Sequence, residues 1–335
     1  MIIAIDVMSS EMTPELIIRG VIHSAQNDQS GDEYVLVGQR NILERLLKAL
    51  LKEDLPISLQ DASQRILDNE NPVKALRDKP DASICVAAKM VRDKKAQALI
   101  SAGHVAAAVG ASRFFLKCIP GIKRPALAVR TPNITGESIM IDAGANHHTN
   151  SDHLLQFALM GKVYAEYLLG IPNPKVGLLS IGEEDSKGND LVKETIQKFK
   201  ESAFNFIGNI EGKDIYTSKV DVIICNGFVG HVAWKVGESL VSNVQKILYD
   251  QINKTFIRRL GKVLAHETFK EIEKKANVDE HGGAPLLGVQ GISVIANPSL
   301  SPLGIERAIQ VAKECYTNQI NLNIVQAIDF KLLDS

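Results

Sequence analysis

The sequence predicts an α/β protein with three layers, helices packed on both faces of a mostly parallel sheet, and a protruding helical segment. Three observations carry this. Short apolar runs alternate with helix-length periodic stretches from the first residue onward. Several runs, Lys175-Val-Gly-Leu-Leu-Ser180 and Val220-Asp-Val-Ile-Ile-Cys225 among them, are apolar at nearly every position. The alternation then stops after Gly230. Strands without polar alternation suit a sheet buried on both faces, and strand–helix alternation implies right-handed crossovers.

Taken in order, strands are expected at Ile2–Asp6, Tyr34–Gly38, Leu99–Gly103, Ala126–Val129, Ser138–Gly144, Val176–Gly182, Phe204–Gly208, Val220–Cys225 and Ile292–Ala296. Helices are expected at Pro14–Gln26, Asn41–Lys52, Ala82–Lys95, His104–Lys117, Asp152–Leu169 and Lys187–Glu201. Pro14 after Thr13 fits a helix start, where the missing N–H is not needed. From 233 to 275 only helix-like pattern remains, expected as an insertion within a single domain over 1–335. Ile252, Phe256, Leu260, Val263 and Leu264 make an apolar stripe there, flanked by Lys254, Arg258, Arg259 and Lys262. Seven Lys or Arg face three Glu between 254 and 275. That pattern suits a solvated face, a dimer contact, a dock for an acidic partner or a membrane-surface helix.

Composition excludes several classes. With 335 residues, 45% apolar and 23% charged, a large core can be buried. Lys plus Arg number 38 against 39 acids, a net charge of −1, which argues against a dedicated nucleic-acid binder. Cys85, Cys118, Cys225 and Cys315 form no C-x-x-C pair and read as reduced residues of a cytoplasmic protein. No signal-peptide pattern opens the chain, and no apolar run approaches the roughly 20 residues of a membrane span.

In an open α/β sheet, ligands sit beyond the carboxyl ends of strands, near helix N-termini. Here those ends are small and polar: Asp6 to Glu11, Ser101 to His104, Asp142 to Asn146, Ser180 to Asn189, Gly208 to Gly212, Asn226 to His231 and Ala296 to Ser299. Seven such ends favour an anion-binding crevice, although each alone equally suits a helix cap. His147, His148 and His153 lack a shared direction, so no metal is expected. Without a G-x-S-x-G elbow, Ser101 or Cys225 is not expected to act as a covalent nucleophile. Without a dinucleotide fingerprint after the first strand, no nicotinamide cofactor is expected, and no other is assigned.

The loops together resemble the PlsX family, the acyl-carrier-protein:phosphate acyltransferases of phospholipid synthesis. The likeness rests on Ile3-Ala-Ile-Asp6, Ser101-Ala-Gly103, Pro120-Gly-Ile-Lys-Arg-Pro125, Asp142-Ala-Gly-Ala-Asn146, Leu155-Gln-Phe-Ala158, Met160-Gly161, Ile181-Gly-Glu-Glu184 and Ser186-Lys-Gly-Asn189. It continues through Phe206-Ile-Gly-Asn-Ile-Glu-Gly212, Asn226-Gly-Phe-Val-Gly230 and Gly282-Gly-Ala-Pro-Leu-Leu-Gly288. The resemblance implies a Rossmann-like fold related to isopropylmalate dehydrogenase and phosphotransacetylase, a homodimer and peripheral membrane contact. Four loops depart from the family pattern. Ser9, Ser10 and Glu11 stand for G-G-D, His104 to Ala107 for N-T-G-A, Asn226 and His231 for Asp and Asn, and Asn297 to Leu300 for the late H-G-x-S.

The implied reaction is attack of inorganic phosphate on the thioester of acyl-carrier protein. Phosphate is itself the nucleophile, so the protein must hold a dianion, stabilise an oxyanion and release a thiol. Lys187 is expected to bind the anion with backbone N–H groups around Gly182, Glu183, Ser186 and Gly188. Asn146 and Asn209 are the expected amide donors, and Asp142 orients Lys187 or a backbone loop. Ser101, Gly103 and His104 would form the opposite wall, with Gly144, Asn226, Gly227 and His231 lining the site. Arg258, Arg259 and Lys262 would touch the carrier protein or the membrane. Two rivals stand beside this: a paralogue that binds acyl-carrier protein without transfer, and a phosphotransacylase using acyl-coenzyme A.

Overall fold

The protein is described from a computed structural model, over residues 1–8, 13–67, 69–276, 279, 282–296 and 301–333. Eleven strands form one sheet: β1 (Ile2–Asp6), β2 (Glu33–Gly38), β3 (Ile57–Asp61), β4 (Ala98–Ser101), β5 (Ala126–Pro132), β6 (Glu137–Ile141), β7 (Val176–Leu179), β8 (Phe206–Ile210), β9 (Val222–Ile224), β10 (Gly283–Leu287) and β11 (Ile292–Ala296). Their spatial order is β3-β2-β1-β4-β11-β10-β5-β6-β9-β7-β8. The helices are α1 (Pro14–Gln26), α2 (Arg40–Leu50), α3 (Pro72–Asp78), α4 (Ser83–Arg92), α5 (Val105–Leu116), α6 (Ser151–Leu168), α7 (Asp190–Lys200), α8 (Gly227–Asn253), α9 (Phe256–Leu264), α10 (His266–Ala276), α11 (Pro302–Thr317) and α12 (Ile320–Leu333).

Alternate strand residues feed two cores, which explains the unbroken apolar runs. Ile3, Ile5, Leu36 and Ile100 join Ile17, Phe157, Phe199 and Ile305 on one face. Ala4, Val37, Leu99 and Ile223 join Ile84, Ala108 and Trp234 on the other. The sheet is therefore the middle layer of three, each fully buried aliphatic side chain adding about 1.5–3 kcal/mol.

Strand direction decides where the loops go. β3, β2, β1, β4 and β11 run parallel. Three antiparallel pairings follow, β11 with β10, β10 with β5 and β5 with β6. β6, β9, β7 and β8 are again parallel to one another, but opposite in sense to the first group. The seven polar strand ends therefore do not share one edge. Those after β1, β4 and β11 lie at one end of their half, and those after β6, β7, β8 and β9 at the other end of theirs. A twist of about 20–25° per step turns the halves by roughly a right angle between β4 and β6, so the two sets of ends are not diametrically opposed.

Two strands escaped the sequence. β3 is a half-exposed edge strand, and β10 contains Gly283 and Pro285, which weaken a strand signal. The helices α3, α11 and α12 were likewise unassigned. The protruding segment begins earlier than 233: Asn226 caps α8 by accepting from the Val229 N–H at 2.8 Å. That helix runs about 40 Å. Its first turns pack on the body through Gly230 and Gly237, while Val232, Val236, Leu240, Val244 and Ile247 remain exposed. No residue of α9 is buried. Among the described residues, no helix is long and apolar enough to cross a membrane.

Candidate active site

The carboxyl ends of β6, β9, β7 and β8 lie side by side. Ile141, Ile224, Leu178 and Asn209 are register partners across this half-sheet. Two candidate loops follow it, one after β6 and one after β7.

Asp142 organises the first. Its fully buried carboxylate accepts from the N–H groups of Leu127 (3.1 Å), Gly144 (3.1 Å), Ala145 (2.8 Å) and Asn146 (2.8 Å), and from the Asn146 side-chain amide at 2.8 Å. Burial pushes the Asp142 carboxyl above its ordinary range, and these donors pull the other way. Four of these bonds close the Asp142–Asn146 loop on itself, the fifth ties it to the start of β5, and none comes from Lys187. The strand carrying the Lys187 loop is two places across the sheet, roughly 10 Å away. Asp142 thus positions its own loop, the second of its two expected roles.

Asn146 is corrected from oxyanion donor to positioning residue. Its amide hydrogens go to the Pro125 carbonyl (2.7 Å) and to Asp142. The loop then meets the N-terminus of α8 with almost no space between. A Cβ on Gly227 would lie 2.6 Å from the Asn146 carbonyl oxygen, and one on Gly230 would lie 2.0 Å from that of Asp142. The Gly227 N–H donates to the Asn146 carbonyl at 2.9 Å. Asn226 spends its side-chain oxygen on the cap, so its expected substrate contact through that atom is also corrected. Gly144, at φ +140°, lies against His231, whose Nδ1 is 3.3 Å from the Ala143 carbonyl oxygen.

The second loop spans Ser180 to Asn189. Asn189 caps α7 through the Val192 N–H at 3.0 Å, and Gly188 at φ +99° turns the chain into it. Lys187 therefore precedes the helix rather than starting it. Its stem crosses Gly182, where a Cβ would lie 2.9 Å from Lys187 Cγ. Two of the three acids around it are paired, Glu183 with Lys219 (2.9 Å) and Lys213 (3.6 Å), and Asp185 with Lys200, while Glu184 Oε2 lies 3.1 Å from where a Gly182 Cβ would stand. The Lys219 hydrogen bond holds the Glu183 carboxyl below its ordinary range. Glu183 is thus committed to lysines and not free for substrate. Lys187 and Ser186 are exposed, and Lys187 has no side-chain partner among the described residues. Asn209 donates its amide to the Glu184 carbonyl at 3.1 Å and leaves a buried oxygen unpartnered. One of its two amide hydrogens is thus used, which ties β8 to the Lys187 loop.

Ser101, Gly103 and His104 belong to the other half. Ser101 Oγ–H donates to Asp6 Oδ2 at 2.8 Å and accepts from the Gly103 N–H at 3.3 Å. Asp6 is buried, which pushes its carboxyl up, against hydrogen bonds from Ser83 and Ser101. His104 occupies the N-cap position of α5 without a side-chain cap bond, and lines a small pocket with Asp6, Ser83 and Ser101. Sequence reasoning named the Asp6 loop but missed Ser83; the buried Asp6 at the end of β1 was the available signal. Ser101 is held as a donor to Asp6, and burial pushes the Cys225 thiol far up, so neither is an activated nucleophile. His153 is used in a capping box with Asn150. The departures at Ser9 to Glu11 and Asn297 to Leu300 lie outside the described residues.

Comparison with known proteins identifies this architecture. The profile of a family described as "Fatty acid synthesis protein" matches residues 1–323. A phosphate acyltransferase of Acidobacterium capsulatum is 40% identical over 320 residues, 95% of this chain and 94% of that one. A phosphate acyltransferase of Desulfitobacterium hafniense is 42% identical over 316 residues, 93% of each chain. Among solved structures, a phosphotransacetylase from Streptococcus pyogenes superposes with a TM-score of 0.59 at 14% identity, covering 98% of this chain and 94% of that one. A branched-chain phosphotransacylase from Enterococcus faecalis V583 gives 0.59 at 13%, covering 94% and 98%. At that identity the solved structures speak for the fold alone. The chain belongs to the fatty acid synthesis protein family, the PlsX family of phosphate acyltransferases.

Proposed function

We propose that this acyltransferase takes its acyl group from acyl-carrier protein and passes it to inorganic phosphate at the edge formed by β6, β9 and β7. The observation that carries the placement is Lys187, a cation without a side-chain partner among the described residues, in a loop where Glu183 and Asp185 are committed to other lysines. It stands beside the N-terminus of α7 and one strand from that of α8, where backbone N–H groups favour an anion. Asp142, Asn146 and Asn209 fix the loops, so that N–H groups and Lys187 are preorganised before phosphate arrives. The Ser101–His104 pocket of the other half is the proposed second wall.

Support for a homodimer comes from the exposed apolar stripe of α8 from Val232 to Ile247, continuous over about four turns, which a second copy would cover. In α9, Phe256, Ile257, Leu260, Val263 and Leu264 share one side of the helix, and Arg258, Arg259 and Lys262 lie on the other. That distribution fits an interfacial helix on an anionic membrane surface. Lys262 already stacks on Tyr249 at 4.2 Å, and Arg258 donates to the Gln251 carbonyl at 3.0 Å. Arg259 is the most direct candidate for contact.

The test is phosphate-dependent release of free thiol from long-chain acyl-carrier protein, with acyl-coenzyme A as the competing donor. Faster release from the carrier supports the proposal. Equal or faster release from the coenzyme favours the second rival, and carrier binding without release favours the first.

A further inference from the structure

His231 lies one turn into α8, directly over the Asp142–Asn146 loop. An ideal Cβ on Gly144 would stand 3.0 Å from its Nδ1, so the imidazole occupies space that only glycine leaves open. The partner of Nδ1 is the Ala143 carbonyl oxygen at 3.3 Å. A carbonyl only accepts, so Nδ1 carries the hydrogen. In the neutral ring the lone pair is then on Nε2. The side chain is exposed, so that nitrogen is open to a ligand at the helix N-terminus.

We propose that His231 is a proton-transfer residue of the acyl transfer, a reading that rests on the site placement above. Hydrogen phosphate forms the new C–O bond at the thioester carbon, and Nε2 takes the P–OH proton. The C–S bond then breaks, its electron pair leaves on sulfur, and the imidazolium returns the proton to the thiolate. Phosphate dianion and thioester enter, acyl-phosphate dianion and thiol leave, and the histidine ends neutral. No other reactant is needed. The remaining ionisable groups of the elements packed there are engaged or buried: Asp142 in its five hydrogen bonds, Cys225 with Sγ 3.4 Å from the Asp142 carbonyl oxygen, and Lys235 paired with Glu238 at 2.8 Å. His147 and His148 lie farther along the loop and are exposed.

The experiment compares the wild type with His231→Gln in phosphate-dependent thiol release. The glutamine amide can still donate to the Ala143 carbonyl, so a purely structural role is rescued and a proton-transfer role is not. The expected result is a kcat lower by about 10² or more, with the phosphate KM changed less than about threefold. A wild-type to variant kcat ratio near one overturns the role of His231 while leaving the site placement intact. Absence of phosphate-dependent release in the wild type overturns both.

Discussion

Replacing Gly230 by alanine probes the junction between the Asp142 loop and α8. The added Cβ would lie 2.0 Å from the Asp142 carbonyl oxygen, 2.8 Å from Cys225 Sγ and 3.0 Å from the Asp142 carbonyl carbon. Ordinary contact begins at 3.4 Å, so 1.4 Å must be found. Neither side yields easily, because the loop is tied by five hydrogen bonds and the helix is capped by Asn226. Two effects oppose each other. Alanine is better than glycine inside a helix by about 1 kcal/mol. Overpacking a close backbone contact costs about 1–3 kcal/mol or more. Gly230→Ala should therefore lose up to about 2 kcal/mol in urea unfolding. A shift of more than 1 Å between loop and helix should lower thiol release by about 10²-fold. Gly261→Ala, in α9 with open space around it, isolates the helix term and should gain up to about 1 kcal/mol. A Gly230→Ala enzyme with wild-type stability and turnover would refute the reasoning.

Three further expectations follow from other parts of the molecule. Lys313 reaches Asp28 at 2.7 Å and Asp32 at 2.8 Å between α11 and the start of β2. Burial works against both carboxylates, but hydrogen bonds from Lys313 and Ser30, with backbone N–H groups at Asp28 and the N-terminal amine at Asp32, together outweigh it and hold their pKa values below the ordinary range. A depressed carboxylate stabilises the fold above its unfolded pKa and loses that contribution as pH falls through the folded one. Lys313→Met should thus cost about 3 kcal/mol at neutral pH in urea unfolding, with the cost beginning to fall only below the ordinary carboxylate pKa of about 4 and markedly smaller by about pH 2; an equal loss at neutral pH and at about pH 2 would contradict the pairing. Charge reversal at Arg258 and Arg259 should weaken binding to anionic vesicles most at low salt. An effect on carrier-protein binding with vesicle binding unchanged would move that surface to the carrier. Asp142→Asn replaces an acceptor by an amide facing five donors, and should cost about 1–3 kcal/mol or more; unchanged denaturant stability would deny it a structural role.

The layering was legible because strands such as Val220–Cys225 carry apolar residues on both faces, a pattern with few other solutions. Helix starts were legible where a cap is local, as at Pro14. Directions of distant strands were not. No local signal reveals that β10 and β5 reverse the sheet, so strand ends that look equivalent in sequence fall at two different edges. The residue types of the site were legible as loop chemistry, but the direction of each side chain was not. Asn146 looks like a free amide in sequence and is spent on Pro125 and Asp142 in the fold, and Asn209 gives one of its amide hydrogens to Glu184. Lys187 and Glu183 read alike until the lysines of β8's outgoing loop and the chain before β9 claim one of them.

The central claim is that phosphate is held by Lys187 and receives an acyl group from the carrier. The most direct measurement is thiol release from long-chain acyl-carrier protein with varied phosphate, for wild type and Lys187→Ala. The account predicts release that requires phosphate and falls by about 10²–10³ in the variant. Because Lys187 is exposed and touches no partner, its folding stability should not change. Equal phosphate-dependent release from both proteins would contradict the placement of the site.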